Sequence, residues 1–160
     1  MTFGSGGRGP RPPIVGTGNR PRKVGETDFD EDVVQELTDE ECWAELRSNE
    51  LGRLAYRLAD EVNIAPVNYK VDGDTLLFMT AEGSKLLGVV MNPDVVFEVD
   101  RREGTVAHSV VLRGKARRLE EDEAHRAERV ELSPWIDTLK YDVVEILPSR
   151  LSGRRFILNR

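Results

Sequence analysis

The stretch that decides the fold runs Val62-Asn63-Ile64-Ala65-Pro66-Val67-Asn68-Tyr69-Lys70-Val71, Asp72-Gly73-Asp74, Thr75-Leu76-Leu77-Phe78-Met79-Thr80, then Gly83-Ser84-Lys85. Branched and aromatic residues make Val62 to Val71 a strand, and Asp72-Gly73 is a strong hairpin signal. Thr75 to Thr80 returns as a second strand, apolar on both faces. Ser84 to Met91 reads as a short helix whose Leu86, Leu87, Val89 and Val90 give a broad apolar surface, stopped by Asn92-Pro93-Asp94. At the helix start, free backbone N–H groups, a hydroxyl and an ammonium converge, an arrangement suited to a phosphate-bearing ligand. On residue types alone the commoner reading is an N-cap serine with an exposed lysine behind it.

Upstream, Thr38 and Glu41 have capping-box spacing, so a helix is expected from Leu37 to about Asn49 with Cys42, Trp43 and Leu46 facing inward. Gly52 opens a strand through about Ala59, and Asp60-Glu61 forms a turn into the central hairpin. Three strands then form a meander with Val62–Val71 in the middle. Downstream, Val95 to Val99 is a buried strand and Arg101 to Gly104 a turn. Ser109 to Leu119 is a long strand with Gly114 a bend or bulge. A polar helix over Glu120–Val130 follows, then an irregular segment, Leu132 to Leu139, around Pro134-Trp135. Tyr141–Leu147 and Arg154–Leu158 close the chain as two strands. Six or seven antiparallel strands, two or three short helices and no βαβ alternation favour a mainly β fold, a small barrel with inserted helices.

Charge is unevenly placed. Residues 1–27 hold five cations and one acid, a net of +4, which leaves −10 for the remainder within the total of −6. The same segment contains half of the 14 glycines and half of the 8 prolines, so residues 1–36 are expected to form a disordered Gly/Pro/Arg-rich tail, with the domain over 37–160. Gly4-Ser5-Gly6-Gly7-Arg8-Gly9 matches the dinucleotide fingerprint in letters, but no strand precedes it and prolines follow, so it is discarded. The acidic body disfavours nucleic acid as main partner. No run approaches a membrane span, no secretory signal opens the chain, and the lone Cys42 points to a reducing cytoplasm. Two histidines, His108 and His125, and one cysteine do not assemble a typical zinc site, so no metal is expected.

The order of these pieces resembles the pyridoxamine 5′-phosphate oxidase-like family with the FMN-binding split-barrel fold, in particular its small actinobacterial-type members. The likeness spans residues 37 to 158. It rests on Gly52-Arg53-Leu54-Ala55, Pro66-Val67-Asn68-Tyr69, Phe78-Met79-Thr80, Gly83-Ser84-Lys85, Ser109 to Gly114, Pro134-Trp135 and Ser152 to Phe156. It implies a homodimer with two flavin sites in the grooves between subunits. Pro66, Val67, Asn68 and Tyr69 would lie along the ring and ribityl chain, and Phe78, Met79 and Thr80 on the neighbouring strand. Ser84 and Lys85 would hold the phosphate, Trp135 would close the site from the partner subunit, and Arg53 is a further candidate.

The implied activity is that of an FMN-dependent oxidoreductase acting on a small molecule. Alternative cofactors are FAD and the deazaflavin F420; a non-catalytic flavin or haem binder is the reading from another class. No catalytic residue is nominated, because a flavin carries the electrons itself. Oxidation of pyridoxamine phosphate itself fits poorly. The family's true oxidases carry arginine and histidine for the substrate phosphate near the C-terminus, whereas here no histidine follows His125. Arg154 and Arg155 are left for some other anionic substrate or for solvent.

Overall fold

A computed structural model describes residues 33–81, 83–137 and 140–159. Ten elements follow in chain order. They are β1 (Val34–Glu36), α1 (Asp39–Ser48), β2 (Leu51–Leu58), β3 (Glu61–Asp72), β4 (Thr75–Ala81), α2 (Ser84–Met91), β5 (Asp94–Glu103), β6 (Val106–Arg118), α3 (His125–Arg129) and β7 (Tyr141–Ile157). All strand pairs are antiparallel, in the order β1-β7-β4-β3-β2-β5-β6, and β6 also pairs with β7. That last pairing closes β2–β7 into a barrel. The meander β2-β3-β4 has β3 in the middle, as its sequence requires.

Alternation fills the interior. Leu54, Tyr69, Phe78, Phe97, Leu112, Val144 and Ile146 are essentially buried there, together with Cys42 and Leu46 from α1. Thr38 caps α1 reciprocally with Glu41: the Glu41 N–H donates to Thr38 Oγ1 (3.2 Å), and the Thr38 N–H to Glu41 Oε2 (2.8 Å). Cys42 is thereby a core residue, and burial followed by the nearby acids of α1 pushes its thiol pKa up. Gly52 leaves room for the Phe97 ring, which a Cβ there would strike. Both faces of β4 are covered, since Leu77 packs outward against Leu119, Ala127, Leu132 and Val143 around α3. No helix among the described residues is long and apolar enough to cross a membrane.

Several boundaries differ from the sequence reading. Order was expected from Leu37, but Val34–Glu36 already pair with Arg154–Phe156. The first turn falls at Ala59-Asp60, with Ala59 in the left-handed region, and Glu61 begins β3. Arg101–Glu103 are not a turn; they pair with Val106–His108, and the reversal sits at Gly104, whose φ of 58° suits glycine. Only His125–Arg129 of the expected Glu120–Val130 helix is helical. Glu123 turns its carboxylate back to the Glu120 N–H (3.2 Å) and to Arg117, so the chain turns before the helix starts. The two closing strands are one bent strand. Between Arg113 and Gly114 the β6–β7 register shifts, so that Arg113 pairs with Arg150 and Gly114 with Pro148, leaving Ser149 as the extra residue. Gly114 is required there because a Cβ would collide with the Leu147 carbonyl.

One buried carboxylate ties α3 to the barrel. Glu145 of β7 is 2% exposed. It accepts hydrogen bonds from Thr75 Oγ1 (3.0 Å), from Arg117 Nε (2.9 Å) and from Arg126 of α3. Arg126 and Arg129 also grip Asp72 at 2.8 Å, at the β3–β4 turn. Burial opposes ionisation of Glu145 and of Asp72, but the guanidinium hydrogen bonds outweigh it and hold both carboxyls below their usual range. The Arg117 hydrogen bond holds Glu123 down to about 2. All three groups are more acidic folded than unfolded. Their stabilisation is therefore complete above about pH 4.5 and is lost as pH falls through the folded values. The thermal midpoint should be flat from neutral pH to about pH 5 and drop below about pH 4. Glu145→Ala should cost about 3 kcal/mol in urea unfolding, the lower end for a broken buried pair, because Arg117 keeps part of its hydration. An unchanged midpoint would show the ion cluster to be superficial.

Candidate functional site

The β3–β4 ladder is short. It pairs Asp72 with Thr75 through Tyr69 with Phe78 and goes no further, although both strands continue. Beyond that point β3 stays bonded to β2 (Asn68 opposite Leu51) and β4 to β7 (Ala81 opposite Tyr141). The two strands part, and a cleft of about 430 Å³ opens between them. Among the described residues the β3 edge facing β4 there has no ladder partner, so backbone donors and acceptors line an otherwise apolar wall.

Pro66, Val67 and Asn68 form the β3 side; Met79, Thr80 and Ala81 form the β4 side. Gly83 and Lys85 close one end, at the start of α2. The N-cap of α2 is Gly83, not Ser84; it has no side chain to cap with, and the first turn contains no acid. Leading N–H groups of a helix lack intrahelical acceptors and carry partial positive charge. They open the helix whose second residue, Lys85, lines the cleft. The Ser84 side chain lies outside the described residues.

A strap of residues 133–136 crosses the mouth. Asn68 Nδ2 donates to the Ser133 carbonyl (2.8 Å) and Tyr141 Oη to the Ile136 carbonyl (2.7 Å), so β3 and β7 each hold one end. Between the ties, Pro134, Trp135 and Ile136 line the cleft, with Trp135 57% exposed. Lys85 and Tyr141 are the titratable side chains among the lining residues.

Pro66, Val67, Asn68, Met79, Thr80, Lys85 and Trp135 are thus brought together around one cleft. Three expected residues are not. Tyr69 and Phe78 are buried in the core, where they face each other as the last paired rung of the β3–β4 ladder, short of the split. Tyr69 Oη donates to the Leu46 carbonyl (2.6 Å), its ring meets Phe97 edge-on, and burial first, then Glu45, pushes its phenol pKa up. Arg53 is engaged elsewhere, by Glu98 (2.8 Å) and Asp100 (2.7 Å). Trp135, implied as a partner-subunit residue, lines the cleft of its own chain. Sequence reasoning missed Leu51, Ala81, Ile136 and Tyr141. Their signal was position: each stands at a strand end or next to a residue already singled out. Neither histidine lines the cleft, since His108 is bound to Glu45 and Arg101, and His125 Nδ1 is 2.8 Å from the Asp122 carbonyl. Among the described residues no group of three His, Cys, Asp or Glu side chains is placed to hold a metal ion.

A closed antiparallel barrel split along one seam, with the cleft in the split, defines the class. The family model for pyridoxamine 5′-phosphate oxidase matches residues 38–155. The chain belongs to this family. A candidate pyridoxamine 5′-phosphate oxidase of Corynebacterium glutamicum shares 39% identity and a TM-score of 0.71, with 82% of this chain and 99% of that one covered. The FAD-binding protein of Mycobacterium smegmatis shares 39% identity and a TM-score of 0.68 over 78% of this chain and 99% of its own. A FAD-binding protein of Mesorhizobium loti gives 25% identity and a TM-score of 0.68 over 76% and 97%.

The two strap ties generate a prediction. In a Trp43→Phe background, which leaves Trp135 the sole tryptophan, Asn68→Ala should raise acrylamide quenching of the indole and red-shift its emission. Tyr141→Phe should do so at the other end. Emission indistinguishable from the parent in both variants would show that the strap holds its place without these bonds.

Proposed function

We propose that the cleft binds FMN and that the protein is a flavin-dependent oxidoreductase acting on a small molecule, assembled as a homodimer. The single observation that carries this reading is the meeting, in one cleft, of an uncapped helix start and Lys85 with an apolar wall and an unladdered strand edge. A phosphate matches the first pair: backbone N–H groups and an ammonium supply charge-assisted hydrogen bonds. A flat ring with an amide-like rim matches the second, its faces against Met79 and Pro66 and its rim on strand backbone. When bound, a flavin supplies hydride transfer. The chain's own part is to orient the ring, exclude water with Trp135 and Ile136, and hold the strap through Asn68. Asn68 thereby acts on the strap backbone through its Nδ2.

FAD is the second reading, supported by the M. smegmatis and M. loti proteins, both described as FAD-binding. The homodimer is supported by Val62 and Ile64, 71% and 69% exposed, which project beside Pro66 on β3. Two large aliphatic side chains that bare are well suited to a second copy.

The purified protein, or apoprotein given FMN, should show the two-banded yellow spectrum of an oxidised flavin, and chromatography of the released cofactor distinguishes FMN from FAD. Lys85→Ala should weaken FMN binding about tenfold or more, since a charged hydrogen bond contributes roughly 1.5–3 kcal/mol, with little effect on the melting temperature. Bleaching by NAD(P)H under anaerobic conditions separates an enzyme from a storage protein. Absence of any flavin band at saturating FMN sinks the proposal. Light scattering should give twice the chain mass, falling toward the monomer in Ile64→Asp.

A further inference from the structure

Three large apolar side chains stand bare at the mouth of the β3–β4 cleft: Leu51 is 49% exposed, Trp135 57% and Ile136 76%. Leu51 opens β2 opposite Asn68, and Trp135 and Ile136 belong to the strap that Asn68 and Tyr141 tie down. Such exposure is ordinary on an unanchored loop. Here both ends of the strap are fixed to strands, so the indole is kept at the opening. A fixed, bare aromatic beside a cavity is a surface suited to a flat ligand.

The polar side chains of the cleft are engaged. Asn68 Nδ2 and Tyr141 Oη donate to strap carbonyls, and Thr80 Oγ1 donates to the Ala81 carbonyl (3.1 Å). Lys85, at the start of α2, is the ammonium that the flavin reading assigns to the phosphate. Among the described residues lining the cleft there is no Asp, Glu, Arg or His. A second molecule entering beside a bound flavin therefore finds no carboxylate for a cationic group. For an anionic group it finds no uncommitted ammonium or guanidinium. Moving an unpaired charge out of water is costly, and the net −10 of residues 28–160 opposes anions further.

We propose that the small-molecule substrate of this cleft is an uncharged, planar aromatic compound, bound at the mouth against Trp135, Ile136 and Leu51. This substrate class presupposes the flavin reading of the cleft. Flatness matters because an indole gains most from a ring stacked offset or edge-on, at centroid separations of about 4.5–7 Å. Neutrality matters because the mouth offers a charge no partner. Pro134 fixes its own backbone φ next to Trp135, so the indole is already placed when a ligand arrives. Trp135 thereby determines specificity and takes no part in the chemistry itself.

The test uses the full chain at saturating FMN, with loading confirmed from the flavin absorbance. Four probes are titrated by calorimetry: naphthol, naphthalenesulfonate, naphthylmethylammonium and decahydronaphthol. Naphthol should bind about tenfold or more tightly than each of the others. The sulfonate and the ammonium probe charge, and the saturated alcohol probes flatness. Naphthol should also shift the flavin bands, the sign of a molecule seated against the ring. In flavin-loaded Trp135→Ala, naphthol affinity should fall about tenfold, and Trp135→Phe should regain most of it. Ile136→Asp, which sets a carboxylate at the mouth, should tighten binding of the ammonium probe. A wild type that takes up no flavin removes the flavin reading and the substrate class together. A flavin-loaded wild type that fails to bind naphthol, or binds any other probe as tightly, overturns the substrate class alone. Unchanged naphthol affinity in flavin-loaded Trp135→Ala does the same.

Discussion

Closure through β7 is the constraint on which everything else depends. This seventeen-residue strand pairs with β4 over its first part, with β1 over its last, and with β6 along nearly all of it. Without the β6–β7 ladder the sheet would be an open ribbon with two bare edges and its apolar face opened to water. Closing it requires a strand that bends. The bulge at Gly114 and Ser149 supplies the bend, and Gly114 is the residue that lets the two backbones approach. The buried Glu145 cluster lies on the same strand and fixes α3 across the outer face of β4. The helix therefore depends on β7 as much as the barrel does.

The same closure explains why a cleft exists at all. β4 has β7 on one side and β3 on the other, yet its bonds to β3 stop at Phe78, while those to β7 run on to Ala81. Twist pulls β4 away with β7 and leaves β3 with β2. A gap appears where the two allegiances diverge, and α2 begins just past it. The helix start and the bare strand edge are in one place for a single geometric reason.

Local signals were legible and long-range ones were not. The Thr38–Glu41 box, the Asp72-Gly73 reversal and the Ser84–Met91 helix depend on residues within a few positions of one another, and each was readable from composition and spacing. The continuity of β7 was hidden because Pro148 reads as a break, and only the partner strand shows that a bulge absorbs it. The polar run after Leu119 reads as helix until Arg117, on another element, claims the Glu123 carboxylate. At the site, the stretch read from the sequence lines the cleft only beyond the point where the β3–β4 ladder ends. Tyr69 and Phe78 were grouped with their neighbours, but they form the last paired rung, and where that rung falls is set by long-range strand pairing. Arg53 was drawn in by its place at the start of the first strand, and its two acid partners lie some 45 residues further on.

Both anchors of the 133–136 strap grip peptide carbonyls, not side chains. The path of the strap is thus independent of what is displayed at positions 134, 135 and 136. A mouth built this way can be re-lettered without being rebuilt. Related chains sharing the barrel can present different surfaces to whatever enters, so divergence in ligand preference should concentrate in these three positions while the scaffold beneath stays unchanged.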